Sequence, residues 1–168
     1  MESPGSKLRQ VSLVEWVKSF PSFEETVKKV DGILQLSSGI VVLQLAEEII
    51  LLKDPSESEV GILCGASARE AWEVAVRILG SQAPWLLDEG EEGHPLNAEI
   101  IAAASEGSIE HEDQARLMIC SSLEALLGCA VSPECPGRDT YIKRIMALEE
   151  ASQQHLMEVI EDQLRRHA

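Results

Sequence analysis

The sequence predicts an all-α domain, and three observations carry that reading. Aromatic residues are scarce, 4% of 168, while apolar residues make up 45%. A core must therefore come from Leu, Ile, Val, Met and Ala, a composition typical of helical packing. Apolar side chains recur at helical spacing between breakers rich in Pro, Gly and Ser. The β-branched run Gly39–Val42 is the one place where a strand competes. The length fits one domain, and no repeat of solenoid period occurs. The spacing yields about seven or eight helices.

Residues 1–9 read as a loose tail, followed by one domain over residues 10–168. Gln10 to Phe20 forms the first helix, with Leu13, Val14, Trp16, Val17 and Phe20 apolar, and Pro21 stops it. A second helical stretch runs from Phe23 to about Leu36, interrupted by Gly32. Ser37 and Ser38 offer N-cap oxygens for a third helix, about Gly39 to Lys53. Its first half is apolar nearly all round (Ile40, Val41, Val42, Leu43, Leu45), which predicts a buried central helix.

Asp54-Pro55-Ser56 is a turn, and Ser67 with Glu70 makes a capping box for a helix to about Leu79, closed by Gly80. Trp85-Leu86-Leu87 suggests a single helical turn, and Asp88 to Pro95 an acidic solvated loop. Asn97 caps a short helix to about Ala104. Glu112 to Val131 is the next helix, with Leu117, Ile119, Cys120, Leu123, Leu126 and Leu127 apolar. Pro133 to Gly137 breaks the chain before one long final helix, about 139–167, which Asp139 could cap. Trp16, Trp72 and Trp85 read as core packing.

The formal net charge is −15. Such a surface is repelled by nucleic-acid phosphates and by anionic membranes, and it suits basic or mostly apolar partners. The N-terminal MESPGSKLRQ lacks the apolar region of a secretion signal. The longest apolar candidate, Gly39 to Leu52, is interrupted by Gln44, Glu47 and Glu48, so no bilayer span is expected. The expectation is a soluble intracellular protein in which Cys64, Cys120, Cys129 and Cys135 are reduced.

Residues Tyr141 to Ala168 hold neither Gly nor Pro and carry Arg165, Arg166 and His167 at the C-terminal end, which favours one long helix. Ile142, Ile145, Met146, Leu156, Met157, Ile160 and Leu164 fall on one apolar stripe, and Gln153 lies within it. Burying a Gln amide without partners is unfavourable. Either the fold satisfies Gln153, or the stripe is left for a partner to complete. Ile145 and Leu156 sit toward the edge away from Gln153 and read as core.

Chemistry is otherwise sparse. The sequence holds no H-E-x-x-H pair, Walker loop, Rossmann fingerprint or G-x-S-x-G elbow. Cys129 and Cys135 are spaced more widely than paired zinc ligands usually are, and they read as separate thiols. No enzyme activity, metal or cofactor is expected.

Three segments resemble a known family. Ser12-Leu13-Val14-Glu15-Trp16-Val17-Lys18-Ser19-Phe20 is similar to the opening S-L-L-x-W-x-x-T-F of the Hook proteins. LSSGIVVLQ, Leu36 to Gln44, resembles a second Hook segment. Leu126-Leu127-Gly128-Cys129-Ala130-Val131 resembles the family's L-x-L-G-C-A-V, and Tyr141-Ile142, Ile145 to Glu150, Gln153, Met157 and Ile160 follow it. The likeness covers roughly residues 10–53 and 112–165 and extends to the Hook-like N-termini of girdin, Daple and NuMA. The family's N-W-[RK]-L-K stretch is absent from about Glu59 to Leu79, and Ser132 to Arg138 is an insertion.

The resemblance implies a calponin-homology-like helical bundle with an added long C-terminal helix. It implies a module of a cytoplasmic dynein–dynactin adaptor that binds the amphipathic C-terminal helix of the dynein light intermediate chain. A following coiled coil would engage dynein and dynactin, in a homodimer associated with microtubules or the centrosome. The family's Gln and Ile, seven residues apart on the last helix, match Gln153 and Ile160, which face the same way after two turns. Together with Ile142, Met146, Met157 and Leu164 they form the expected partner site; apolar anchors at helical spacing and flexible Met side chains suit it. The competing expectation is a calponin-homology-type domain binding microtubules or actin, which the negative charge opposes on acidic filaments.

Overall fold

Seven α-helices and three short 3-10 turns make up the described residues, 4–19, 33–50, 68–86 and 96–167, of a computed structural model. No strand occurs among them. The helices are α1 (Pro4–Lys18), α2 (Ile40–Ile49), α3 (Ala68–Gln82), α4 (Ala98–Ser105), α5 (Glu112–Ala130), α6 (Arg138–Met146) and α7 (Glu150–His167). Expectations for Pro21, residues 23–32, the 54–56 turn, Ser67, Cys64 and the acidic loop lie outside the described residues.

Residues 4–9, expected as tail, are the first turns of α1. Pro4 opens the helix, where a missing N–H removes no hydrogen bond. Arg9 holds these turns to α5 through a two-pronged ion pair with Glu124, at 2.9 and 2.7 Å. Leu13, Trp16 and Val17 are buried beneath. α1 packs on α5 and α7.

Ile33–Ser38, expected as the end of a helix, is a 3-10 segment. α2 begins at Gly39, not with a serine cap. Gly39 has φ of 84°, and an added Cβ would stand 2.9 Å from the Trp72 ring, so two constraints require glycine there. Ser37 instead supplies its carbonyl, which accepts a 2.7 Å bond from the Trp72 indole N–H. The expected burial of α2 holds: Val41, Val42, Leu43, Leu45, Ala46 and Ile49 are all enclosed. α5 shares the centre, touching α1, α2, α3, α4 and α7.

α3 continues through Gly80 to Gln82. Glycine costs about 1 kcal/mol inside a helix, and the burial of Trp72, Ala75, Ile78 and Leu79 offsets it. A single turn follows at Pro84–Leu86, one residue earlier than the expected Trp85-Leu86-Leu87, whose last residue lies outside the described residues. Asn97 caps α4 as expected, accepting from the amides of Glu99 and Ile100.

The long final helix is divided. Residues 147–149 are not helical and separate α6 from α7. Gly137, not Asp139, precedes the first turn of α6, with no side-chain cap. Ala147 and Leu148 donate to the carbonyls of Arg144 and Ile145, so the last turn of α6 tightens before it ends.

Candidate functional site

The division of the final helix brings the apolar stripe together on two facing walls. A cavity of about 500 Å³ lies between α6 and α7. Ile142, Ile145 and Met146 line it from α6, and Met157, Ile160 and Leu164 from α7. In one straight helix Ile142 and Leu164 would stand about 33 Å apart. Both border one cavity because the non-helical residues 147–149 let α6 and α7 take different directions.

The six expected site residues occupy different positions. Met146 and Met157 are the most open, 57% and 50% exposed. Ile142 and Leu164 are half-buried. Ile160 is only 8% exposed and belongs mainly to the core, so it forms floor rather than rim. Ile145 and Leu156 are core, as expected, although Ile145 also reaches the cavity.

Gln153 is not among the residues lining the cavity. Its amide nitrogen donates to the carbonyl of Met146 at 3.1 Å and to that of Leu148. The chain thus satisfies both amide N–H groups internally.

Four lining residues were not legible as site residues: Val131, Arg138, Glu158 and Glu161. Arg138 and Val131 bracket the breaker cluster, and the Arg138 guanidinium donates to the Val131 carbonyl at 2.8 Å, pinning the start of α6 to the end of α5. Glu158 and Glu161 are exposed beside the apolar stripe of α7 and give the cavity an acidic rim.

Two further ties hold α7 in place. The Ser152 hydroxyl donates to the Glu15 carboxylate on α1. At the other end Gly128 of α5 lies directly under Gln163. The neighbouring Tyr141, buried at the base of α6, has its hydroxyl pushed up to about 12 by burial and by the Glu48 and Cys135 charges. The Arg144 guanidinium lies 5.6 Å from its ring centroid. Burial also raises the Glu48 carboxyl, against the opposing pull of Arg144. Cys129 is pushed up to about 11, first by burial and then by the Cys135 charge, and both are free thiols. Both border a second cavity of about 540 Å³ on the other side of Leu164. Among the described residues no group of three or more His, Cys, Asp and Glu could hold a metal ion, and no helix is long and apolar enough to cross a membrane.

Comparison with known proteins agrees with this architecture. Residues 92–162, which include the whole of α4, α5 and α6 and most of α7, match the HOOK domain model. Protein Hook homolog 2 from mouse is 29% identical over 155 residues, and its human counterpart 30% identical. Each alignment covers 90% of this chain, and the chain spans 20% of the length of either relative. The solution structure of the conserved domain of mouse HOOK1 protein superposes with a TM-score of 0.52 at 22% identity, covering 92% of this chain and 89% of that one. The matched model takes in α6 and most of α7, which line the groove, and the relatives extend the likeness along most of the sequence: residues 92–162 carry a HOOK domain.

Proposed function

We propose that this domain is the motor-docking module of a cytoplasmic dynein–dynactin adaptor, and that the groove between α6 and α7 receives the amphipathic C-terminal helix of the dynein light intermediate chain. The observation that supports it is the pairing of Met146 and Met157 across one apolar groove, both half-exposed where such side chains are normally buried. Ile142, Ile160 and Leu164 continue the apolar surface between them. An amphipathic helix buries one stripe of anchors in a groove of this kind, and flexible thioether side chains adapt to its shape. Gln153 belongs to the same proposed site through the Hook resemblance, beside Ile160 two turns on.

In this reading the domain does no chemistry of its own. A coiled coil elsewhere in the full-length protein engages dynein and dynactin, the protein is a homodimer, and it works in the cytoplasm on microtubules or near the centrosome. Calorimetric titration with a synthetic light-intermediate-chain helix tests the groove. Saturable binding that is lost in Met157→Asp supports it. No binding to the unaltered domain, or undiminished binding to Met157→Asp, refutes it.

A further inference from the structure

We infer that Cys129 and Cys135 form a reversible dithiol switch, which oxidised glutathione closes into one intramolecular disulfide that resets the start of α6. Both are free thiols, both are half-buried, and both border the second cavity, beside Ile49, Ile50 and Leu164. Cys120 is enclosed within α5, only 2% exposed, and takes no part. Cys129 belongs to the Hook-like Leu126–Val131 motif, whereas Cys135 comes with the insertion Ser132 to Arg138, so the pair is particular to this chain.

The chain between the two cysteines is folded back on itself. The Ser132 amide donates to the Cys129 carbonyl at 3.4 Å, the Cys135 amide to the Ser132 carbonyl at 3.0 Å, and the Arg138 amide to the Cys135 carbonyl at 3.2 Å. The Arg138 guanidinium then returns to the Val131 carbonyl at 2.8 Å. A hydrogen-bonded turn keeps its end Cα atoms within about 7 Å. Successive turns and a side-chain tie therefore gather residues 129–138 into one compact loop. The Cys135 charge is felt at the Cys129 thiol, which agrees with that gathering.

The order of steps follows from the surroundings. Burial holds Cys129 protonated, so Cys135 is the first nucleophile. Its thiolate attacks one sulfur of oxidised glutathione; the new S–S bond forms, the old one breaks, and one glutathione leaves as thiolate and takes up a proton. Cys129, on losing its proton, attacks the Cys135 sulfur of the mixed disulfide and expels the second glutathione, which takes up that proton. Two protein thiols are oxidised and one glutathione disulfide is reduced to two thiols. Excess reduced glutathione runs the same steps backward, so in a reducing compartment the link is transient.

The consequence reaches the groove. A disulfide holds its Cα atoms about 4.4–6.8 Å apart, which fixes the span of a loop otherwise held by hydrogen bonds. Val131 lies inside that loop, Arg138 opens α6 just beyond it, and both line the α6–α7 groove. Leu164 borders both cavities. Closing the disulfide therefore moves the first turn of α6, and with it the wall that carries Ile142 and Met146.

The experiment treats the whole chain with excess oxidised glutathione, blocks the remaining thiols with iodoacetamide and cleaves after glutamate. Cuts at Glu124 and Glu134 part Cys120, Cys129 and Cys135 into three peptides, so only a disulfide can hold the 125–134 peptide to the one that begins at Cys135. Methyl-labelled methionine spectra follow Met146 and Met157 in the same samples, with buried Met118 as reference. The linked peptides, a moved Met146 signal, an unmoved Met118 signal and full reversal by dithiothreitol are the result expected. Cys135→Ser given the same treatment should keep every methionine signal in place. No link, a glutathione adduct that never resolves, or a link from Cys129 to Cys64 or Cys120 would overturn the pairing. A link that leaves Met146 unmoved, or a moved signal in treated Cys135→Ser, would overturn the switch.

Discussion

Gly128 of α5 and Gln163 of α7 meet so closely that a Cβ on Gly128 would stand 2.6 Å from the Cβ of Gln163. The glycine of the Leu126–Val131 motif thus sets how deeply α7 sits on α5. Ile160 and Leu164, beside Gln163 on α7, take their height in the groove from the same contact. Gly128→Ala is expected to cost about 1–3 kcal/mol by overpacking. A urea unfolding midpoint measures it, and recovery in the Gly128→Ala, Gln163→Ala double variant identifies the contact as the cause.

Binding and stability should separate within the groove. Met157 is half-exposed, so Met157→Asp is expected to change stability by no more than about 0.5 kcal/mol while abolishing helix binding. Ile160 is nearly enclosed, and Ile160→Ala is expected to cost about 2–5 kcal/mol of stability as well as affinity. Thermal melts beside calorimetric titrations check the contrast. Equal stability losses in the two variants would contradict the assignment of one to the rim and the other to the floor.

Tyr141 is the only tyrosine in the chain, so its ionisation can be followed by ultraviolet absorbance alone. The phenol should titrate near 12, above its ordinary value of 10. Because the folded state holds the proton more tightly, this contribution to stability is complete below pH 10 and is lost as pH rises toward 12. A midpoint near 10 in the folded domain would mean that Tyr141 is not buried at the base of α6.

Filament binding is the competing role for a helical domain of this kind. A net charge of −15 predicts repulsion from acidic tubulin and actin, strongest at low ionic strength. Co-sedimentation in low salt is expected to leave the domain in the supernatant with either filament. Pelleting that weakens as salt is added would reverse this expectation.

Much of the fold was legible from residues that act locally. The burial of α2 follows from apolar residues on nearly every face, the Asn97 cap from a side chain reaching amides two and three positions on, and the single turn near Leu86 from the short apolar run that begins at Trp85. The glycines of the Leu36–Gln44 and Leu126–Val131 segments were visible, but their reasons were not, because Trp72 and Gln163 come from distant helices. Pattern likewise drew Ile142, Met146, Met157, Ile160 and Leu164 into one stripe without saying which was rim and which was floor.

The division of the last helix belongs to tertiary structure alone. Propensity over Met146–Glu150 favours continuing, and helical periodicity places the stripe on one face of a single rod. In the folded chain Arg138 anchors α6 to the end of α5, Ser152 ties α7 to α1, and Gln153 takes the carbonyls released at the break. The sequence by itself determined an all-helical chain with an apolar stripe near its end; tertiary contacts decided that the stripe borders a groove, because Arg138 and Ser152 fix α6 and α7 separately on α5 and α1 and one straight rod could not satisfy both.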